Sequence, residues 1–310
     1  MRGDRLLGGL DRAAQAAAGH ATTFGYLSGW RFVRLLPEPA AQRLFRGVGD
    51  EVYRRNGASV QRLRGNLARV QPGLGEEALE RLTRAAVRSY MRYWCESFRM
   101  PSWPIEDLVR RVRTVNEPML RAAMARGRGV VAPLPHMGNW DWAGAWACGT
   151  GMPLVTVAER LEPARLYDEF VAYRSRLGME ILPLDGDDRT FRRLVEQLRS
   201  GGLVCLLADR DMSGNGVEVT LCGHRVRMPK GPAVVARMTG AALIPVTLAY
   251  DGPDMELTLH EEIPHQSGPD GIAAMMQAVA DAFTVALRAH PQDWHMMQRI
   301  FLDEPAPEGG

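Results

Sequence analysis

The sequence predicts an α/β fold, with a mainly parallel central sheet flanked by helices and a helical N-terminal region before it. Three observations lead to this prediction. From Gly129 onward, short apolar runs alternate with amphipathic segments at the spacing of strand–helix units. Before Gly129, apolar residues recur at intervals of three and four, which indicates helices. Among the 310 residues, 46% are hydrophobic and 24% charged, which is ordinary for a globular protein with an ample core.

The first region, residues 1–128, is predicted to be helical, basic and membrane-facing. The segment Trp30 to Leu36 combines Trp, Phe and Leu with Arg, as helices at a membrane surface do. Simple packing on the rest of the protein is the competing interpretation for every helix of this region. Apolar periodicity predicts helices over Leu6 to Ala18, Pro39 to Asn56, Val60 to Val70 and Glu76 to Phe98.

The second region, residues 129–302, is predicted to be the α/β core, integrated with the first region in one domain. Residues 303–310, EPAPEGG with the preceding Asp, are expected to form a disordered tail. Apolar or β-branched runs predict strands over Val130–Leu134, Leu154–Ala158, Glu180–Leu184, Leu203–Ala208, Val217–Leu221, Leu243–Ala249 and Met255–His260. Helical periodicity predicts helices over Trp140–Cys148, Pro163–Leu177, Arg189–Ser200, Pro229–Thr239 and Gly271–His290.

The charge is unevenly distributed along the chain, although the net charge is only +2. Residues 1–128 carry 23 Arg against 12 acids, a balance of +11, whereas residues 129–310 carry 15 Arg and Lys against 24 acids, a balance of −9. A basic first region indicates an anionic partner, either anionic inner-leaflet lipids or nucleic acid. Nucleic acid is not a predicted partner, because the sequence contains no zinc finger or other recognisable nucleic-acid motif.

The sequence also bears on the compartment. No stretch of 18 or more strongly apolar residues is present, so no transmembrane helix is predicted, and Asp4 and Asp11 argue against a secretory signal. The four cysteines lack CxxC spacing, which favours buried free thiols in a reducing compartment over disulfides or a zinc site. We therefore expect a peripheral protein on the cytoplasmic side of the plasma membrane.

The strongest candidate for a functional site is His136-Met-Gly-Asn-Trp-Asp141, directly after the apolar run Val130–Leu134. Active sites tend to lie where a parallel strand ends and a helix begins. Partners on one helix face are three or four residues apart, so a spacing of five places His136 in the turn before the helix. The Asp141 carboxylate is then expected to reach back to the imidazole and make it a general base. The competing interpretation is a turn histidine beside an N-capping Asp141.

Further polar residues follow other predicted strands. Glu159 and Arg160 follow Leu154–Ala158, and Asp209 and Arg210 follow Leu203–Ala208, the most apolar strand of the chain. Because the carboxyl ends of parallel strands share one edge of a sheet, Asp209 is expected at the same edge as His136. Surface charge pairing is the competing interpretation for Glu159 and Arg160.

The H-x4-D spacing, with Asn-Trp inside it and a strand before it, resembles the box of the glycerolipid and lipid A acyltransferases. The string APLPHMGNWDWAG is most similar to that of the actinobacterial phosphatidylinositol mannoside acyltransferases, relatives of the lauroyl/myristoyl lipid A acyltransferases within the lysophospholipid acyltransferase-like group. The resemblance covers essentially the whole chain. Its successive boxes are HX4D, AER, YR-x-R-x-G, ADRD, a GPA turn and Pro291-Gln-Asp-Trp-His295.

This resemblance implies an acyl-CoA-dependent O-acyltransferase that moves a fatty acyl chain to a sugar hydroxyl of a membrane glycolipid, a phosphatidylinositol mannoside. The implied catalytic residues are His136, Asp141 and Asp209. From their place at the strand end, backbone N–H groups near Gly138–Asn139 are expected to hold the oxyanion. Arg174 is implied near the acyl thioester. The implied substrate-binding residues are Asn139, Glu159, Arg160, Arg174, Arg210 and Asn215.

Acyl-CoA is then a co-substrate, and neither a cofactor nor a metal is expected, because one His and one carboxylate at this spacing make no ligand cluster. Alternatives are another lipid acceptor, such as a lysophospholipid or a lipid A-like molecule, hydrolysis of acyl-CoA, and a non-catalytic lipid-binding protein. Serine hydrolases, zinc proteases and P-loop enzymes are not indicated, since G-x-S-x-G, H-E-x-x-H and Walker motifs are lacking.

Overall fold

The structure, a computed structural model, describes residues 32–160, 164–184 and 188–302. The predicted helix over Leu6 to Ala18, the beginning of the Trp30 to Leu36 segment and the predicted tail 303–310 lie outside the described residues.

Three long helices open the described chain: α1 (Glu38–Arg55), α2 (Ala58–Val70) and α3 (Glu76–Arg99). Their bounds agree with the predicted helices to within two residues. Leu63 and Leu67 of α2 pack with Ala86 and Val87 of α3 in one buried cluster. Burial of these apolar faces stabilises helices whose intrinsic propensity is modest.

The region predicted to be wholly helical also contains a strand. After the short helix α4 (Ile105–Arg110), β1 (Val112–Val115) pairs in parallel with a strand near the other end of the described chain, and α5 (Glu117–Ala125) follows. The Val-Arg-Thr-Val segment is β-branched, but four residues between two helices are too few for a visible two-residue alternation.

The central sheet is parallel throughout, in the order β4-β3-β5-β2-β8. Its strands are β2 (Val130–Leu134), β3 (Leu154–Ala158), β4 (Glu180–Pro183), β5 (Leu203–Leu207) and β8 (Ala242–Leu243). Its connecting helices are α6 (Trp140–Gly149), α7 (Ala164–Arg176), α8 (Asp188–Arg199) and α9 (Gly231–Thr239). Alternate residues of β2 enter different buried clusters, Val131 one and Val130 with Ala132 the other, so both faces of the sheet are covered. The predicted α/β class is confirmed.

A second sheet and a hairpin complete the fold. β9 (Val246–Asp251) lies antiparallel to β10 (Asp254–Leu259), and β10 joins β1. The single strand predicted over Leu243–Ala249 is two strands, because Pro245 has no N–H to continue a ladder. β6 (Val217–Leu221) and β7 (His224–Met228) form the hairpin, of which β7 was not predicted.

The last long helix, α10 (Gly271–Ala289), is long and apolar enough, judged by length and composition alone, to cross a membrane. Its apolar face is nevertheless used inside the protein, where Met275, Val279 and Phe283 are fully buried in the cluster that covers one face of the central sheet. A buried core helix accounts for the same composition.

The four cysteines are free thiols, as predicted. Cys95 and Cys222 are buried, whereas Cys148 and Cys205 are partly buried.

Candidate active site

Two neighbouring strands of the central sheet bring the main candidates together. β2 and β5 pair in parallel with Leu134 opposite Leu207, and Ala208 N–H donates to the Leu134 carbonyl at 2.9 Å. His136 lies in the turn between β2 and α6, as its spacing predicts, and Asp209 follows β5. The shared edge expected for His136 and Asp209 is confirmed.

Asp209 is the hydrogen-bond partner of the His136 imidazole. Its Oδ1 lies 2.6 Å from His136 Nδ1, and its Oδ2 accepts the main-chain N–H of His136 at 2.9 Å and the indole N–H of Trp294 at 2.9 Å. Burial alone would raise the pKa of this carboxyl, but the charge of His136 and the three hydrogen bonds lower the pKa below its ordinary value. An ionised carboxylate only accepts, so Nδ1 carries the proton and Nε2 is the basic nitrogen. The imidazole is 28% exposed, while Asp209 is fully buried.

A segment distant in sequence completes this turn. The Gly138 N–H donates to the Asp293 carbonyl at 2.9 Å, and the His295 N–H donates to the His136 carbonyl at 2.8 Å. Trp294, the residue between them, is fully buried. The Gly138 N–H is therefore occupied, which contradicts the expectation that it holds an oxyanion. In the sequence, Trp294 stands out only as part of the Pro291–His295 box, and nothing local to it indicates an indole donor to the site.

Contrary to the prediction, the Asp141 carboxylate does not pair with the His136 imidazole. Asp141 lies in the first turn of α6, is buried, and accepts from Arg174 Nε at 2.7 Å, Arg174 Nη2 at 3.3 Å and the Tyr93 hydroxyl at 3.2 Å. Burial opposes the charge of Arg174, but the Asp141 carboxylate more than offsets this and raises the pKa of the guanidinium. The helix directs this side chain towards α3 and α7, whereas His136 stands outside the helix and turns towards β5. The hydrogen-bonded pair predicted for His136 and Asp141 is not formed, and the carboxylate on the His136 imidazole is that of Asp209.

The Asn139 side chain is buried and hydrogen-bonded inside the protein, which contradicts its predicted substrate contact. Its Oδ1 accepts the Trp142 N–H at 3.1 Å, the N-cap bond of α6, and its Nδ2 donates to Glu96 at 2.9 Å. Glu96 also accepts from Arg92 at 2.6 Å and from the Tyr250 hydroxyl at 3.1 Å. Burial raises the pKa of Glu96, while Arg92, Asn139 and Tyr250 act in the opposite direction. This buried network fixes where α6 begins. Glu96 cannot be recognised from the sequence, where it is one of several acids within a predicted helix.

A second histidine lies beneath the site. His295 is 5% exposed, and its Nε2 lies 3.1 Å from the Ser89 hydroxyl, while Nδ1 has no hydrogen-bond partner in the structure. Burial lowers the pKa of His295 to about 3, and the charge of His136 acts in the same direction. His295 is therefore neutral at physiological pH.

The other predicted site residues lie at or near the same sheet edge. Glu159 and Arg160 follow β3 and are exposed, with Arg160 5.7 Å from the Tyr167 ring centroid. Arg210 follows Asp209 directly and is partly buried. Asn215 lies in the exposed loop before β6, where its N–H donates to Ser213. Arg174 is the one member drawn inward, by its ion pair with Asp141.

No group of three or more His, Cys, Asp and Glu side chains that could hold a metal ion occurs within residues 32–160, 164–184 and 188–302. What the described residues can do chemically is proton transfer at His136 Nε2, with Asp209 stabilising the imidazolium that forms.

Comparison with known proteins places this geometry in a family context. Residues 14–303 match the family described as bacterial lipid A biosynthesis acyltransferase. The chain is 43% identical over 291 residues to the phosphatidylinositol mannoside acyltransferase of Mycolicibacterium smegmatis (strain ATCC 700084 / mc(2)155), covering 94% of each chain. It is also 43% identical over 285 residues to the phosphatidylinositol mannoside acyltransferase of Mycobacterium tuberculosis (strain CDC 1551 / Oshkosh), covering 91% of this chain and 89% of the relative.

Proposed function

Because the chain belongs to the bacterial lipid A biosynthesis acyltransferase family, we propose that it transfers a fatty acyl chain from acyl-CoA to a sugar hydroxyl of a phosphatidylinositol mannoside. The observation that carries this proposal is the His136–Asp209 pair at the carboxyl edge of the sheet, in which the two side chains are 2.6 Å apart and the imidazole is partly exposed to solvent. The names of the two mycobacterial relatives support the choice of acceptor.

In the proposed reaction, His136 Nε2 removes the proton of the acceptor hydroxyl as that oxygen attacks the thioester carbonyl carbon. The C–S bond then breaks, the thiolate of CoA leaves, and the imidazolium returns the proton to its sulfur. Asp209 keeps the Nδ1 proton in place and stabilises the imidazolium between the two transfers. The thioester is already activated, so no covalent enzyme intermediate, cofactor or metal is required.

Asp141 and Arg174 are proposed to have a structural role, which is to hold the start of α6 in place. Their buried ion pair connects the first turn of α6 to α7, and the Asn139–Glu96 bond connects the same turn to α3. Both hold the start of the helix next to His136, so a change at Asp141 reaches the imidazole through the turn rather than by direct contact.

The first region is proposed to rest on the cytoplasmic face of the plasma membrane, against anionic lipids. On α1, Leu44 and Val48 lie one helical turn apart and are 45% and 42% exposed, with exposed Arg43 and Arg46 beside them. Apolar side chains next to arginines suit an anionic bilayer surface. Leu44→Gln combined with Val48→Gln should reduce sedimentation with anionic vesicles several-fold. Val285→Gln should not, although Val285 on α10 is a more exposed apolar residue than either.

The activity is tested by thiol release from palmitoyl-CoA with and without phosphatidylinositol mannoside. His136→Ala is expected to lower turnover about 10²–10⁴-fold while leaving the melting temperature unchanged. Near-normal turnover in a folded variant would remove His136 from the mechanism. Turnover with a lysophospholipid or lipid A-like acceptor alone, or thiol release without any acceptor, would replace the proposed acceptor. Lipid binding without thiol release would indicate a non-catalytic protein.

Two further measurements complete the test. Activity should persist in EDTA, and its loss with recovery on adding zinc or magnesium would contradict the metal-free mechanism. Mass spectrometry of lipids from cells that lack the gene should show loss of an acylated phosphatidylinositol mannoside.

A further inference from the structure

A small basic cavity is lined in part by Arg210, the residue directly after Asp209 of the proposed catalytic pair. Its volume is about 170 Å³, several times the roughly 30 Å³ that one water occupies in the liquid, so it can admit a tetrahedral oxyanion. Three arginines dominate its lining. The lining residues are Arg210, Asp211, Gly214, Arg227, Arg299, Ile300 and Leu302.

Three chain segments converge to build this basic cavity, and each supplies one arginine. The loop after β5 is fixed to β7 because the Asp211 N–H donates to the Arg227 carbonyl at 3.3 Å. The segment that carries Arg299 is fixed to the same strand, since the Leu302 N–H donates to the Arg225 carbonyl at 2.9 Å. The arginines are therefore held by main-chain contacts rather than by a flexible surface loop alone.

The charge of the basic cavity is positive in a region that is otherwise acidic. Three guanidinium groups and one carboxylate, that of Asp211, line the cavity, whereas residues 129–310 as a whole carry −9. Asp211 is directed into its own loop, where it accepts the N–H and hydroxyl of Ser213 and the N–H of Gly216 at 2.7 to 2.9 Å. Glu218 pairs with Arg227 at 3.2 Å and also with Arg225, but it does not line the cavity.

The position of the basic cavity relates it to the reaction. Arg210 is the residue after Asp209, and Arg299 lies four residues beyond His295, whose N–H contacts the His136 turn. The cavity therefore includes residues from both chain segments that hold the His136 turn.

We propose that the basic cavity binds a phosphate group of one of the two reactants, an inference that rests on the proposed function. Guanidinium groups match phosphate with planar, two-pronged hydrogen bonds and retain their charge at any physiological pH. The phosphate comes either from the CoA part of the donor or from the phosphodiester of the lipid acceptor. Both sources present the same chemistry, and binding measurements separate them.

The experiment measures equilibrium binding of CoA, 3′-dephospho-CoA, pyrophosphate and pantetheine by calorimetry, and of phosphatidylinositol vesicles by sedimentation. The test variant is Arg227→Gln combined with Arg299→Gln. The matched control is Arg225→Gln, which changes a neighbouring arginine on β7 that contacts the same Glu218 but does not line the cavity. Far-ultraviolet circular dichroism and melting temperature establish that each variant is folded.

If the phosphate is that of the donor, the test variant should weaken CoA binding about tenfold or more, as expected for losing charge-assisted hydrogen bonds, and pantetheine binding should not change. If it is that of the acceptor, only binding to phosphatidylinositol vesicles should weaken, relative to phosphatidylcholine vesicles. Equal affinity of wild type, test variant and control for CoA and for both vesicles would overturn the proposal while leaving the proposed function intact.

Failure of the proposed function gives a different result. A wild-type protein that neither binds CoA nor releases thiol from acyl-CoA contradicts that function. The pyrophosphate titration then decides the phosphate proposal alone, because equal pyrophosphate affinity in wild type and test variant would overturn it.

Discussion

Replacing Asp209 by Asn is expected to reverse the imidazole tautomer rather than merely remove a charge. Asp209 Oδ2 accepts two N–H groups, from the His136 main chain and from Trp294, whereas Oδ1 faces His136 Nδ1. In the variant, the amide oxygen takes the position with two donors, since leaving two buried donors unsatisfied would destabilise the protein by about 1–3 kcal/mol each. The amide NH₂ then faces Nδ1, and the imidazole proton moves to Nε2.

With the proton on Nε2, this nitrogen can donate a hydrogen bond but cannot accept the proton of the acceptor hydroxyl, as the proposed reaction requires. The same substitution in the Ser-His-Asp proteases lowers kcat by about 10⁴-fold through the wrong tautomer, and we expect a loss of about that size for Asp209→Asn. Trp294→Phe is the matched companion, because it removes one donor to Asp209 and keeps the carboxylate. Its loss of turnover should be much smaller, about tenfold.

The assay is thiol release under saturating palmitoyl-CoA and phosphatidylinositol mannoside, together with ¹⁵N NMR of the His136 ring nitrogens. Melting temperatures of both variants control for unfolding. Turnover of Asp209→Asn within tenfold of wild type, or a ring proton that remains on Nδ1, would refute the reasoning.

Three further outcomes are expected. Asp141→Asn leaves the buried guanidinium of Arg174 without its counter-charge and should lower the free energy of unfolding, measured in urea, by about 3–5 kcal/mol. Adding Arg174→Met should recover much of this lost stability. Gly138→Ala should lower both stability and turnover, because Gly138 has φ +58° and a Cβ would lie 2.9 Å from the Leu248 Cβ; normal values of both would show that the turn tolerates the change. The pKa of His295 is lowered to about 3, so its contribution to stability is complete above the unfolded-state pKa of 6.5 and is lost as the pH falls towards 3. Over that window, His295→Gln should reduce the slope of unfolding free energy against pH by about 1.4 kcal/mol per unit, and an unchanged slope would contradict burial of a neutral ring.

Much of the fold could be predicted because its main signals are local. The strands β2, β3 and β6 were predicted with their observed bounds, since each is a short apolar or alternating run between turn residues. The β7 strand was missed because its hairpin turn is Cys222-Gly223, with φ of 54° and 90°, and Cys is an unusual residue for a left-handed position.

The site was harder to predict, because its key pairings join residues far apart in the chain. Proximity in sequence favoured Asp141 as the partner of His136, yet the partner is Asp209, 73 residues away. Strand order decides between them, and no local periodicity reports that β5 lies beside β2. The same limit hides Trp294, whose indole meets Asp209 across 85 residues.

The spacing of these partners also sets an order of events during synthesis. At roughly 5–20 residues per second, the ribosome adds the 85 residues between Asp209 and Trp294 in on the order of ten seconds. Throughout that interval β2 and β5 have been synthesised, but the segment that pairs with the His136 turn is not complete. The His136 turn of the nascent chain is therefore not yet held in place. Catalysis requires residues 293–295 to bind this turn, so acyl transfer is delayed until the rest of the sheet has been assembled.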